Sequence, residues 1–163
     1  MKFRGLFTSC ILFTLLLSCS SGNDTPNDKE EIPIPEAPVT FYYGADLSYV
    51  NEMEDCGASY KDANSAAKDP YAIFKEAGTN LIRIRLWHNP TWTNYSNYND
   101  VKKSIQRAKD LNMKVLLDFH YSDTWADPSQ QQIPSAWLNS INDTPVLGDL
   151  LYNYTYNTLN ELS

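Results

Sequence analysis

The segment Leu81-Ile-Arg-Ile-Arg-Leu86 sorts its side chains by parity, and this alternation limits the architecture more than any other feature of the chain. Successive residues of a strand point to opposite faces, so Ile82, Ile84 and Leu86 share one face and Arg83, Arg85 and Trp87 the other. Lys114-Val-Leu-Leu-Asp-Phe119 likewise sets Val115, Leu117 and Phe119 against Leu116, Asp118 and His120. Phe41-Tyr-Tyr-Gly-Ala-Asp46 sets Tyr43, Ala45 and Leu47 against Tyr42, Gly44 and Asp46. One face is apolar and suits packing under helices. The other gathers Asp46, Arg83, Arg85, Asp118 and His120, and burying so many ionisable groups without partners costs several kcal/mol each. These groups must pair or face a wet site. An open doubly wound sheet keeps two greasy faces, whereas a barrel whose interior opens at the strand C-termini accommodates one polar face.

Helical patterns separate the strands. Asp69-Pro70 precedes Tyr71, Ile73, Phe74 and Ala77 and is closed by Gly78, which places an N-cap, an N1 proline and a terminating glycine where a helix wants them. Asp100 to Leu111 carries Val101, Ile105 and Ala108 on one stripe. A last helix starts near Pro145, with Leu147, Leu150, Leu151 and Tyr154 in line, and continues to Ser163. Three strand-helix units in series predict an α/β fold with a parallel sheet. A complete (β/α)8 TIM barrel takes about 250 residues. The 163 residues here are therefore expected to supply about the first three βα units. Functional loops of such barrels follow the strands, which points to 47–68, 87–99 and 120–144.

The first 38 residues have a different character. Lys2 and Arg4 precede an apolar run from Leu6 to Leu17, the pattern of an export signal, too short for a comfortable transmembrane helix. It ends in Leu16-Leu17-Ser18-Cys19, which resembles the lipobox of bacterial lipoproteins, so 1–18 reads as a lipoprotein signal peptide and Cys19 as the lipidated residue. Residues 19–38 are rich in Ser, Asn, Asp, Glu and Pro and hold no aromatic residue, a composition of disordered tethers. The expected location is the bacterial cell envelope, on the outer membrane surface, with the membrane contacted through the lipid alone. Residues 39–163 form the folded part, with Cys56 as its lone thiol and no internal disulfide. Thirteen basic against 20 acidic residues give a net charge of −7, which argues against a nucleic-acid partner. Much of that acidity lies in the tether, so it says little about the ligand of the domain.

The third loop opens His120-Tyr121-Ser122-Asp123-Thr124-Trp125-Ala126-Asp127-Pro128, with an imidazole, carboxylates and aromatic rings at a strand end. Rings stack on the C–H face of a pyranose, and polar groups replace the hydrogen bonds its hydroxyls lose to water. A zinc site built on His120 with Asp118, Asp123 and Asp127 is the rival reading, but a second nearby histidine and metal-ligand spacing are lacking. Trp87 and Trp125 favour ligand contact, while Trp92, Tyr95 and Tyr98 are balanced between ligand contact and loop packing.

The run Asp118-Phe-His-Tyr-Ser-Asp-Thr-Trp-Ala-Asp-Pro128 resembles the signature after the third strand of glycoside hydrolase family 53, the arabinogalactan endo-β-1,4-galactanases. Gly44-Ala-Asp-Leu-Ser48, Gly57-Ala-Ser-Tyr-Lys-Asp62, Arg83-Ile-Arg-Leu-Trp-His-Asn-Pro90 and Leu151-Tyr-Asn-Tyr-Thr155 follow in the family's order. The resemblance implies a (β/α)8 barrel acting on β-1,4-galactan, as in arabinogalactan and pectin side chains. It also implies retention through two glutamates about 5–5.5 Å apart. In the family the acid/base follows strand four and the nucleophile strand seven, so both are expected downstream of Ser163. Asn160-Glu161 spells the acid/base dipeptide but lies on a helix before any fourth strand; Glu52, Glu54 and Glu76 match no catalytic position.

What the resemblance carries over is the supporting half of the site. Arg85 would hold the nucleophile ionised, since a nearby cation lowers a carboxylate's pKa. Asp46, Asp118 and His120 would bond sugar or brace the acid/base, Trp87 and Trp125 would be sugar platforms, and Asp127 would orient the third loop. No cofactor is implied for this segment, and calcium is considered only for the C-terminal half. The leading expectation is the N-terminal part of a lipid-anchored endo-galactanase that is inactive and poorly soluble as an isolated chain. The alternatives are another retaining β-glycanase of the clan, a mannanase or cellulase, and a non-catalytic surface glycan-binding lipoprotein.

Overall fold

The computed structural model describes residues 41–163. The signal peptide, Cys19 and the tether lie outside the described residues. Strand β1 (Gly44–Asp46), helix α1 (Val50–Asp55), α2 (Pro70–Glu76), β2 (Leu81–Leu86), α3 (Tyr98–Asp110), β3 (Lys114–Phe119), a 3-10 helix (Ser135–Ser140) and α4 (Thr144–Leu162) follow in order. The strands form one parallel sheet in the order β1-β2-β3, with Asp46 opposite Arg83 and Arg85 opposite Asp118.

The two longer strands fall where alternation places them. β1 is shorter than expected because Asn80 intercepts its start. The Asn80 side chain accepts from Tyr43 N at 2.9 Å and donates to Phe41 O at 3.0 Å, replacing ladder bonds there. Helix α1 falls inside what reads as a loop. It has only Val50 and Met53 as apolar residues in six positions, too few to show a helical period.

Helices α1, α2 and α3 end alike. Gly57, Gly78 and Asn112 adopt φ of 90°, 96° and 52°, and the following amides of Ala58, Thr79 and Met113 bond back to Met53 O, Phe74 O and Ala108 O. Each is a left-handed stop that satisfies the last carbonyls and turns the chain sharply. After α2 and α3 the turn leads directly into a strand. At the other ends, Asp69 caps α2 through Ala72 N at 3.2 Å and Asn97 caps α3 through Asp100 N at 3.1 Å. Helix α3 thus starts two residues before the position read from its stripe.

The apolar parity face is the core. Ile82, Ile84 and Leu86 are buried with Val101, Ile105 and Ala108 of α3, Tyr71 of α2, and Leu47 and Val50. Arg107 fastens the helical layer from outside. It reaches Glu54 of α1 through both terminal guanidinium nitrogens, Asp69 at 2.7 Å and Asn51 at 2.8 Å, and lies over the Tyr71 ring. With the core on one side of the strands, the charged parity face is left free on the other.

Candidate functional site

Strand register brings the charged face together. Arg83 on β2 is flanked by Asp46 on β1 and Asp118 on β3, and its two terminal nitrogens each bond one of these carboxylates. The pairing resolves the problem of three ionisable groups on one face. Burial raises the Asp46 carboxyl, but hydrogen bonds from the Ser48 hydroxyl and amide and the Arg83 charge outweigh it and hold the group below 3.8.

His120, at the end of β3, is braced on both ring nitrogens. Indole N–H can only donate, so Trp87 Nε1 at 3.2 Å makes Nδ1 of the neutral ring an acceptor. The remaining proton sits on Nε2, 3.1 Å from Asp118 Oδ2. Burial pushes the imidazole below its ordinary 6.5, the Asp118 charge opposes this, and Arg85 and Arg83 add to the lowering. His120 is therefore a neutral, oriented donor to Asp118 at neutral pH.

Arg85 lies deepest, 2% exposed. Its guanidinium sits over three rings, with centroids at 4.5 Å for Tyr49, 4.4 Å for Trp87 and 5.1 Å for Trp125. Stacking suits a planar, weakly hydrated cation and leaves its N–H edges free for in-plane partners. Trp87 is buried against Arg85 and packs on Trp92 at 5.0 Å. The open rings are Trp92 and Trp125, 62% and 44% exposed. Trp125 is fixed through Nε1 to Asp127 at 3.0 Å, and the same carboxylate accepts from Ser129 and Gln130. Asp127 thereby shapes the turn carrying that ring.

Asp123 ties the loops. It accepts from Asn89 N at 3.0 Å, from Ser135 N at 2.8 Å and from Ser135 Oγ at 2.6 Å, and it faces His88 Nδ1 at 3.3 Å. Its backbone carbonyl accepts from Trp92 Nε1 at 3.1 Å. The His88 ring is itself held between Trp137 and Tyr154, at 4.8 and 4.6 Å. The sequence offers Asp123 as one of the third loop's carboxylates, in the sugar-site pattern or the rival zinc reading, and singles out neither Tyr49 nor His88. The signal for Tyr49 is weak, a single ring after a short strand.

Asp118, His120 and Asp127 line a cleft of about 500 Å³ together with Gln131, Gln132 and Ile133. Asp46 reaches it through Arg83 and Asp118, and Arg85 through Trp87 and Trp125, which both contact His120, so the seven candidates Asp46, Arg85, Trp87, Asp118, His120, Trp125 and Asp127 fall into one connected cluster. The described glutamates stand apart on helices: Glu52 and Glu54 on α1, Glu76 on α2 and Glu161 on α4. Among the described residues no group of three His, Cys, Asp or Glu side chains could hold a metal ion.

This geometry of paired charges, a stacked arginine and open indoles at the C-terminal ends of parallel strands has counterparts. An arabinogalactan endo-β-1,4-galactanase of Cellvibrio japonicus is 48% identical over 162 residues, 99% of this chain and 39% of that protein. An endo-β-1,4-galactanase of Bacillus subtilis is 40% identical over 75% of this chain and 30% of its own length. The chain thus spans well under half of these curated relatives. A solved fungal β-1,4-galactanase superposes with a TM-score of 0.69 at 41% identity, covering 74% of this chain and 35% of that one. The catalytic domain of an Ignisphaera aggregans family 53 enzyme also gives 0.69, at 36% identity, over 80% and 38%. The sequence profile of glycosyl hydrolase family 53 matches residues 42–163, all but the first of the described residues. The chain belongs to that family, and its described residues build three βα units of a (β/α)8 barrel.

Proposed function

We propose that this chain is the N-terminal part of an endo-acting galactanase that cleaves β-1,4-linked galactan, as in arabinogalactan and pectin side chains, with retention. The observation that carries the reading is one cleft holding Asp118, His120 and Asp127, with the open ring of Trp125 beside His120 at 5.7 Å. An exposed indole next to oriented polar groups is the chemistry of sugar recognition, stacking on the C–H face and bonding the hydroxyls.

In this reading the acid/base and the nucleophile are glutamates encoded beyond Ser163. The residues present supply orientation and charge. Arg85, with ring faces above and beside it, offers its free edge to a carboxylate and would keep a nucleophile ionised. Asp118 and His120 would hold sugar hydroxyls or brace the acid/base, which the neutral, fixed imidazole suits. Residues 1–18 would direct export, Cys19 would carry lipid, and 19–38 would tether the catalytic domain to the outer membrane surface, where long galactan is cut into pieces small enough to import.

The test is to read the DNA beyond codon 163 and assay the full reading frame on β-1,4-galactan beside mannan and cellulose. Galactan cleavage abolished by changing the downstream glutamates is the expected result. Cleavage of mannan or cellulose instead would move the protein to another specificity. Binding without cleavage, with no further glutamates encoded, would make it a surface glycan-binding lipoprotein.

A further inference from the structure

Ser96 is 1% exposed and holds a φ of 53°, a left-handed conformation uncommon for any residue with a Cβ. Glycine would fit this backbone without cost, so the serine side chain needs a reason. All of its polar groups are committed. Its amide donates to Asp100 Oδ2 at 2.7 Å, its carbonyl accepts from Trp87 N at 2.8 Å, and its hydroxyl accepts from Arg85 Nη2 at 3.0 Å. The last contact is the only hydrogen bond of the Arg85 guanidinium among the described residues, and Nε is buried without a partner. Three rings within 5.1 Å of its central carbon surround the guanidinium but accept no in-plane N–H bond, so they do not fix its rotation. One in-plane acceptor does.

We infer that Ser96 is a positioning residue whose hydroxyl sets the rotation of Arg85 in its aromatic cage. Asp100 holds Ser96 in turn, and its other oxygen accepts from Asn51 Nδ2 at 2.7 Å. Asn51 accepts from Arg107, so a continuous polar relay runs from the helical layer to the site. The start of α3 thereby sets the orientation of the Arg85 guanidinium among its rings.

The inference rests on the galactanase reading and is tested in the full-length enzyme. Ser96→Gly removes the hydroxyl while suiting the backbone, and Ser96→Ala removes it while keeping the strained Cβ. Both should lower kcat roughly ten- to hundredfold, the range for one hydrogen bond to a charged group, with KM little changed. Ser96→Gly should melt no lower than Ser96→Ala. In an Arg85→Lys background, which lacks the planar fork, Ser96→Gly should cost almost nothing further. Parental kcat in Ser96→Gly would show that the serine serves only its backbone, and equal losses in both backgrounds would show that it does not act through Arg85. Either result overturns the inference. A parent enzyme that leaves galactan intact would instead sink the galactanase reading, and this inference with it.

Discussion

Arg83 stands between two carboxylates and beside the imidazole that one of them holds, and its charge adds to burial and Arg85 in lowering that imidazole's pKa. His120 releases its proton more readily in the folded chain than in the unfolded one. The stability contributed by the neutral ring is therefore present above the unfolded value of 6.5 and lost as pH falls toward the lowered folded value. Replacing Arg83 removes a cation while leaving Asp118 in place. In Arg83→Gln the imidazole should titrate at higher pH, and the loss of stability below 6.5 should shrink. NMR titration of the ring nitrogens, with thermal midpoints across the same pH range, measures both; a His120 that titrates unchanged or lower would contradict the assignment. The charged cluster itself was legible in the chain, since parity alone puts Asp46, Arg83, Asp118 and His120 on one face. The detailed pairing was not. That Trp87 donates to His120, and that Tyr49 covers Arg85, depends on strand register and on loop paths that local alternation does not encode.

Elements are joined across the mouth of the strands by one carboxylate, Asp123, which links the loop after β2, the loop after β3 and the 3-10 helix. Burial raises its carboxyl, yet the bonds from Ser135, His88 and Asn89 prevail and hold it below 3.8. A carboxylate so depressed contributes stability that is present above 3.8 and lost as pH falls through the folded value. Asp123→Asn turns one acceptor into a donor facing donors. It should cost about 2 kcal/mol in urea unfolding and open the 127–135 segment to limited proteolysis before the rest. Unchanged stability and cleavage would remove Asp123 as the clasp. The elements it joins differ in how far they could be read in advance. β2, β3 and α4 announce themselves through alternation or a stripe, and Gly78 marks the end of α2 as a left-handed stop. Asn112 makes the same stop with the residue type that most often replaces glycine there, whereas Ser96 takes a positive φ under tertiary constraint and cannot be found from residue type. Helix α1 and the 3-10 helix are too short and too polar to carry a period.

At the scale of the whole molecule the three βα units leave apolar surface uncovered among the described residues. Strand β3 pairs only with β2, so its outer edge presents free backbone groups. Beside that edge, Ile105, Met113, Val115, Leu117, Leu159 and Leu162 line an apolar groove of about 560 Å³. On the opposite face of the strand Leu116 is 50% exposed. Parallel sheets are stable with both faces covered, and in a closed (β/α)8 barrel a fourth strand would pair with β3 while its connecting helix packs beside α4. A protein of these 163 residues alone should therefore associate with itself, edge to edge and groove to groove. Sedimentation velocity across the micromolar range should show concentration-dependent oligomers. Leu116→Lys together with Leu159→Glu should shift the population toward monomer, because one places a charge at the free edge and the other charges the rim of the groove. The full reading frame at the same concentration should sediment as a single discrete species. A monomeric 163-residue chain throughout that range would mean that the exposed edge and groove do not drive association, and that the three units stand as a domain of their own.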